Sequence, residues 1–147
     1  MTKTMTGGCQ CGRIRYAVQI DDDEAYLCHC RMCQRATGGV SIAFKNVSVA
    51  DVDWTTRAPD RYRSSAFAQR GFCAQCGTPL TYESDGYERL DLTIGSFDEP
   101  GAFFPVEHSA IESWHPAWLD TSHLPTSRTE DNARISARWM ETLGRLP

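Results

Sequence analysis

Arg89-Leu-Asp-Leu-Thr-Ile94 alternates polar and apolar positions without a break, the period of a strand that buries one face. Gly12 to Ile20 repeats the pattern through Arg13, Ile14, Arg15 and Tyr16, and the acidic run Asp21-Asp-Asp-Glu24 that follows reads as an exposed turn. Further strand candidates are Val40 to Phe44, Val47 to Trp54, part of Arg61 to Phe72, Leu80 to Glu83, Tyr87 to Phe97 and Val106 to Ser113. Each is bounded by Gly, Pro, Asn or Asp. Roughly six to eight short strands predict a mainly β domain.

The pattern changes towards the end of the chain. Ile135, Trp139 and Leu143 recur at helical spacing, with Glu130 and Asp131 ahead of them and Gly144 behind, which predicts a short C-terminal helix over 129–144. Residues 114–128, with His115-Pro116 and Leu124-Pro125, read as an irregular connector. A chain of 147 residues with 41% hydrophobic positions is expected to form a single domain over 1–147. Trp54, Trp114, Trp118 and Trp139 are read mainly as packing residues.

Charge and hydropathy narrow the partners. No apolar run approaches the ~20 residues of a membrane-spanning helix, and Met1 to Gly8 has no apolar stretch of the kind a signal peptide needs. The expectation is a cytoplasmic protein without a membrane partner. Residues 1–70 carry ten Lys/Arg against seven Asp/Glu, and residues 71–147 five against twelve. Neither half has the basic excess of a duplex-binding surface, so no nucleic acid is expected.

Seven cysteines are the unusual feature, and an odd number in a reducing compartment argues against a disulfide framework. They fall in three groups: Cys9 and Cys11; Cys28, Cys30 and Cys33; Cys73 and Cys76. Cys73-Ala-Gln-Cys76-Gly77 has the form of a zinc knuckle, and Cys9-Gln-Cys11-Gly12 is a tighter turn of the same kind, so together they supply four thiolates to a closed tetrahedral site. A redox role for Cys73 and Cys76 is disfavoured because Thr78-Pro-Leu-Thr-Tyr82 continues as a strand and not as a helix. Cys28-His-Cys-Arg-Met-Cys33 offers three thiolates from one loop, the donor number of a zinc site with an open position, although an iron–sulfur cluster could use them too. His29, flanked by two of these cysteines, is read as turned away from the metal, with ligation as the alternative.

Three segments carry a resemblance: Gly8-Cys9-Gln-Cys11-Gly12, Cys28-His-Cys-Arg-Met-Cys33-Gln-Arg-Ala-Thr-Gly38, and Arg63-Ser-Ser through Arg70-Gly-Phe-Cys-Ala-Gln-Cys-Gly-Thr-Pro-Leu80. In combination they resemble the glutathione-dependent formaldehyde-activating enzyme family, which includes centromere protein V relatives. Weaker similarity runs through Leu92 to Pro100 and Pro105 to His108 to Ala117-Trp118, so the resemblance covers roughly 7–125 and leaves out the helical tail. It implies a zinc-bearing set of coiled β-sheets, or β-tent. It also implies two zinc ions per chain, a structural one on Cys9, Cys11, Cys73 and Cys76 and a second on Cys28, Cys30 and Cys33.

A zinc held by Cys28, Cys30 and Cys33 leaves a position for an incoming thiol, which coordination deprotonates. The expected activity is therefore that of a carbon–sulfur lyase handling an adduct of glutathione, or another small thiol, with an aldehyde such as formaldehyde. Arg31 and Arg35 are candidates for the carboxylates of such a thiol, with Arg61, Arg63 and Arg70 behind them, and His29 and His108 are candidates for proton transfer. The competing readings are a zinc-stabilised β binding module without chemistry and a cysteine–zinc redox sensor.

Overall fold

The computed structural model describes residues 1–147. In chain order the elements are β1 Lys3–Gly8, β2 Arg15–Ile20, β3 Glu24–Cys28, α1 Arg31–Thr37, β4 Ile42–Ser48, β5 Val52–Asp53, β6 Asp60–Ser65, β7 Ala68–Phe72, β8 Pro79–Ser84, β9 Arg89–Thr93, β10 Phe104–Ser109 and α2 Ala133–Leu143. The strands make two sheets, a three-stranded one in the order β1-β2-β5 and a seven-stranded one in the order β10-β3-β4-β9-β8-β7-β6. Within the larger sheet β10 runs parallel to β3, and the other pairs are antiparallel. The fold is mainly β with a short C-terminal helix, as the hydropathy pattern predicts.

The chain divides into two units, Met1–His115 and Pro116–Pro147. The first contains every strand and α1. Its main core is built by the alternation of β2: Tyr16, Val18 and Ile20 point inward behind Ile14, and meet Val47, Leu80, Leu90, Leu92 and Phe97. Tyr16 is the largest fully buried side chain; its hydroxyl bonds Ser96 Oγ at 2.9 Å, and its ring meets Trp54 and Phe97 edge-on. A smaller cluster of Cys28, Cys33 and Phe44, flanked by Tyr26, Ile42 and Tyr82, sits apart from it.

In the second unit, Asn132 caps α2 by accepting the Ile135 N–H at 3.1 Å, and Gly144 closes it in a left-handed conformation, its N–H on the Met140 carbonyl at 2.9 Å. The helix therefore begins four residues after Thr129, where a 3-10 turn over Thr129–Asp131 takes its place. The predicted stripe of Ile135, Trp139 and Leu143 is present, yet no residue of α2 is buried. No helix is long and apolar enough to cross a membrane.

Several boundaries differ from the pattern, each for a local reason. Lys45-Asn46 looks like a break, but β4 runs through it: Lys45 is buried against Asp22 and the Glu24 carbonyl, and Asn46 donates across the sheet to Asp91. The expected strand after Val47 is cut short by a 3-10 turn that the Ser48 hydroxyl caps. β1 escapes the pattern because only Met5 and Gly7 face inward, and β3 and α1 because they lie within or beside the cysteine-rich loop.

Gly7 bridges to Phe97 and so ties β1 to the segment that follows β9. A Cβ there would stand 2.5 Å from the Ser96 carbonyl oxygen and closer still to the Tyr16 hydroxyl. Gly7→Ala is expected to lower stability by about 1–3 kcal/mol, read as a lower urea midpoint at unchanged slope. A second link is the pair of hydrogen bonds from Arg15 to Asp98, to which Thr6 adds its hydroxyl at 2.6 Å. These contacts hold the Asp98 carboxyl below the usual carboxylate range, so the stability they give is present above about pH 4 and is lost as pH falls through the lowered folded value. Against Asp98→Asn, wild type should be more stable by no more than about 1 kcal/mol at neutral pH, because the pair is part-exposed. That margin should vanish in acid, measured by chemical unfolding as a function of pH.

Candidate functional site

Cys9, Cys11, Cys73 and Cys76 bring their Sγ atoms together within 4.8 Å of one another. Two like turns build this knuckle set. In the first, the Cys9 N–H reaches the Ile14 carbonyl and Gly12 takes a left-handed φ of 80°; in the second, the Cys73 N–H reaches the Thr78 carbonyl and Gly77 takes a φ of 79°. Ile14 N–H donates to Cys9 Sγ at 3.3 Å, and Thr78 Oγ1 accepts the Gln10 N–H at 3.1 Å while lying 3.2 Å from Cys76 Sγ. One hydroxyl thus fastens the two turns to each other. Arg13 reaches Cys73 Sγ at 3.9 Å and bonds Asp60, which also accepts the Ala74 N–H at 2.9 Å.

Cys28, Cys30 and Cys33 form a second group, also within 4.8 Å. β3 ends at Cys28, and Cys30 then caps α1, its Sγ accepting the Cys33 N–H at 3.2 Å. The capping turn folds Cys30 and Cys33 back towards Cys28, so a single loop carries all the donors. The Cys33 thiol is pushed well up by its bond to Cys28 and by burial, against the pull of Arg70; the Cys28 thiol is lowered, chiefly by its bond from Cys33. None of the seven cysteines is in a disulfide.

The loop set lies in the wall of a cavity of about 300 Å³, whose lining also includes Tyr26, Met32, Phe44, Phe67, Arg70 and Tyr82. Strand register assembles this lining. Tyr26 pairs with Phe44, Arg70 with Tyr82 and Tyr82 with Asp91, so these side chains share one face of the larger sheet. Arg70 is buried, donates to Cys33 Sγ at 3.2 Å and lies over the Tyr82 ring at 5.0 Å. Asp91, buried on that face, accepts from Asn46 at 2.8 Å, and burial raises its carboxyl above the usual range. Ala110 lines the cavity with a left-handed φ of 58°, the only non-glycine residue so placed.

The histidines sit elsewhere. His29 is buried and its Nε2 meets His108 Nδ1 at 2.9 Å, with Trp114 edge-on to both rings. Neither histidine is in the cavity lining, because His108 pairs with Leu27 on the sheet face opposite Cys28 and Tyr26. Arg31 and Arg35 are exposed on α1, Arg31 bonded to Gln34, and both lie outside the lining. Arg61 pairs with Glu83 and Arg63 with Asp85. Of these arginines, Arg70 alone reaches the cavity. Its signal in the sequence was an inward position in β7, two residues from Ala68; Tyr26, Phe44, Phe67 and Tyr82 carried none, since they meet only through pairing between distant strands.

The arrangement defines a β protein organised around two thiol sets, each able to hold a metal ion, one of them opening on a cavity. The pattern of the glutathione-dependent formaldehyde-activating enzyme family matches residues 4–113, and the chain belongs to that family. An uncharacterized lyase of Schizosaccharomyces pombe is 32% identical over 76 residues, which are 52% of this chain and 55% of the relative. The chain thus spans about half the length of that curated relative. A crystal structure of a Rhodobacter sphaeroides protein shares the fold, with a TM-score of 0.59 at 21% identity over 71% of this chain and 100% of the other.

The Thr78 hydroxyl and N–H hold the Cys76 thiol down at about 5. In chelated protein Cys76 is therefore a thiolate at pH 6 and should be alkylated there by iodoacetamide ahead of an ordinary thiol. Thr78→Ala should raise the pH at which it reacts, read by mass spectrometry of the modified peptide.

Proposed function

We propose that the chain is a zinc-dependent enzyme of the carbon–sulfur lyase type, forming or cleaving the bond between a small thiol such as glutathione and the carbon of an aldehyde such as formaldehyde. One observation carries the reading: the three thiols of the loop set lie in the wall of a cavity of about 300 Å³, whereas none of the knuckle cysteines does. Family membership supports the thiol and the aldehyde, and the description of the S. pombe relative as a lyase supports the reaction class.

The donor chemistry suits zinc. Four sulfurs about 2.3 Å from a tetrahedral centre stand about 3.8 Å apart, and Cys9 lies 3.5 Å from Cys11, and Cys11 3.8 Å from Cys73. Cys9, Cys11, Cys73 and Cys76 would hold a structural zinc, and Cys28, Cys30 and Cys33 a second. With three protein donors, that second zinc would supply a position at which a substrate thiol is bound deprotonated.

The chain's own side chains do the rest. Cys30 and Cys33, fixed by the α1 cap, aim the loop set at the cavity. Tyr26, Phe44, Phe67 and Tyr82 give it aromatic surface against which the substrate can pack. Arg31 and Arg35, exposed beside Met32 and Cys33 and paired with no carboxylate, are the guanidinium groups assigned to the carboxylates of a peptide thiol outside the cavity. His29 and His108 bond each other away from the lining and receive no proton-transfer role.

Metal analysis of the purified protein should find two zinc ions per chain. Cys28→Ser should retain one, keep its fold by circular dichroism, and lose the acceleration of adduct formation from glutathione and formaldehyde over the spontaneous rate. A wild type that binds a single zinc and gives no acceleration would remove the enzyme reading.

A further inference from the structure

Arg70 stands at an inward position of β7 with 5% of its surface exposed, and it makes no ion pair. Its one side-chain hydrogen bond is from Nη2 to Cys33 Sγ, 3.2 Å away. Asp91, the acid on its face of the sheet, is bonded by Asn46 and Tyr26; it feels the charge of Arg70 but forms no ion pair with it. A guanidinium carries five N–H donors and is always charged, so most of the fork is unused by the protein's own acceptors, in a cavity with four aromatic side chains in its wall. With zinc bound, the Cys33 thiolate offsets part of this charge, and the N–H donors that the protein's own acceptors leave over suit an oxygen brought by a ligand.

The position of Arg70 selects which part of a ligand that is. Arg70 is within bonding distance of one sulfur of the set that would receive the substrate's own sulfur, so it can reach only atoms close to that sulfur. In a thiol–aldehyde adduct the oxygen is a single carbon away. The carboxylates of a peptide thiol lie at the far ends of its backbone, where Arg31 and Arg35 stand outside the cavity.

On the thiol-adduct reading given above, we infer that Arg70 binds the oxygen of the adduct and stabilises the negative charge that develops on it. In the forward direction a sulfur electron pair forms the carbon–sulfur bond and the carbonyl π pair moves to oxygen. Arg70 holds that alkoxide until it takes up a proton from solvent, replacing the one the thiol released. In reverse the hydroxyl proton leaves to solvent, the carbonyl re-forms, and the carbon–sulfur pair returns to sulfur.

The test compares wild type with Arg70→Gln and Arg70→Lys. Arg70→Gln should lower kcat for adduct formation by about 100-fold, the effect of removing an oxyanion donor, with the KM for glutathione little changed. Arg70→Lys should recover part of it, since it keeps the charge but not the fork. A second readout is calorimetric binding of S-carboxymethylglutathione, which has an anion next to sulfur, against S-methylglutathione, which has none. Wild type should prefer the former by about 10-fold, the value of one charge-assisted hydrogen bond, and Arg70→Gln should lose the preference while keeping its zinc content. Unchanged kcat in Arg70→Gln, or a preference that survives, overturns the assignment while wild-type turnover keeps the thiol-adduct reading standing. Absence of turnover and of binding in wild type overturns both. Should Arg70→Gln fail to fold, Arg70→Lys decides: a preference and a kcat equal to wild type's would show that the fork is not used.

Discussion

The register of the larger sheet is the constraint on which the site depends. Tyr26 opposite Phe44 and Phe44 opposite Thr93, then Asp91 opposite Tyr82 and Tyr82 opposite Arg70, form two rows on one face of the sheet, offset by two residues along β9. Side chains alternate between faces with a period of two, so a slip of one residue in any of these pairings would send a cavity residue to the opposite side. The same pairings place Leu90 and Leu92 on the other face, in the main core. Hydrophobic burial on one side of β9 thus fixes the placement of chemistry on the other.

The charged residues divide along the same line. Exposed pairs such as Arg63 with Asp85 lie on the surface and contribute little to stability. Lys45 and Arg70 are buried, but they differ in how they are matched: Lys45 has Asp22 and a backbone carbonyl, while Arg70 has a sulfur and an aromatic ring. Arg13 beside Cys73 has Asp60 to balance it. The arginine beside the closed thiol set is therefore matched by a carboxylate, and the one beside the open set by a sulfur and an aromatic ring.

Much of the fold was legible in the sequence because it rests on local signals. The alternation of Arg89 to Ile94, the helical spacing of Ile135 to Leu143 with Gly144 behind it, and the glycine after each knuckle turn need only neighbouring residues to act. The short-range groups of cysteines were legible for the same reason, whereas the meeting of Cys9 and Cys11 with Cys73 and Cys76 is a long-range contact that the likeness of the two turns and the family resemblance pointed to. What was not legible depends on contacts between distant residues. β1 has just one large inward side chain, and the apparent break at Lys45-Asn46 is overridden by partners more than twenty residues away. Arg31 and Arg35 are close to Cys33 in sequence but exposed, whereas Arg70 arrives at the same sulfur from 37 residues away.

The two thiol sets also differ in when they can form. The sulfurs of the loop set come together once the short helix α1 has its first turn, which requires no long-range closure. The knuckle set needs Cys11 to meet Cys73 across 62 residues, with β2 through β7 lying between them. On a chain emerging from the ribosome the loop set is complete some forty residues before the last knuckle cysteine, Cys76, is synthesised. A metal ion held by the knuckle set would therefore join two turns whose preceding strands, β1 and β7, are already synthesised.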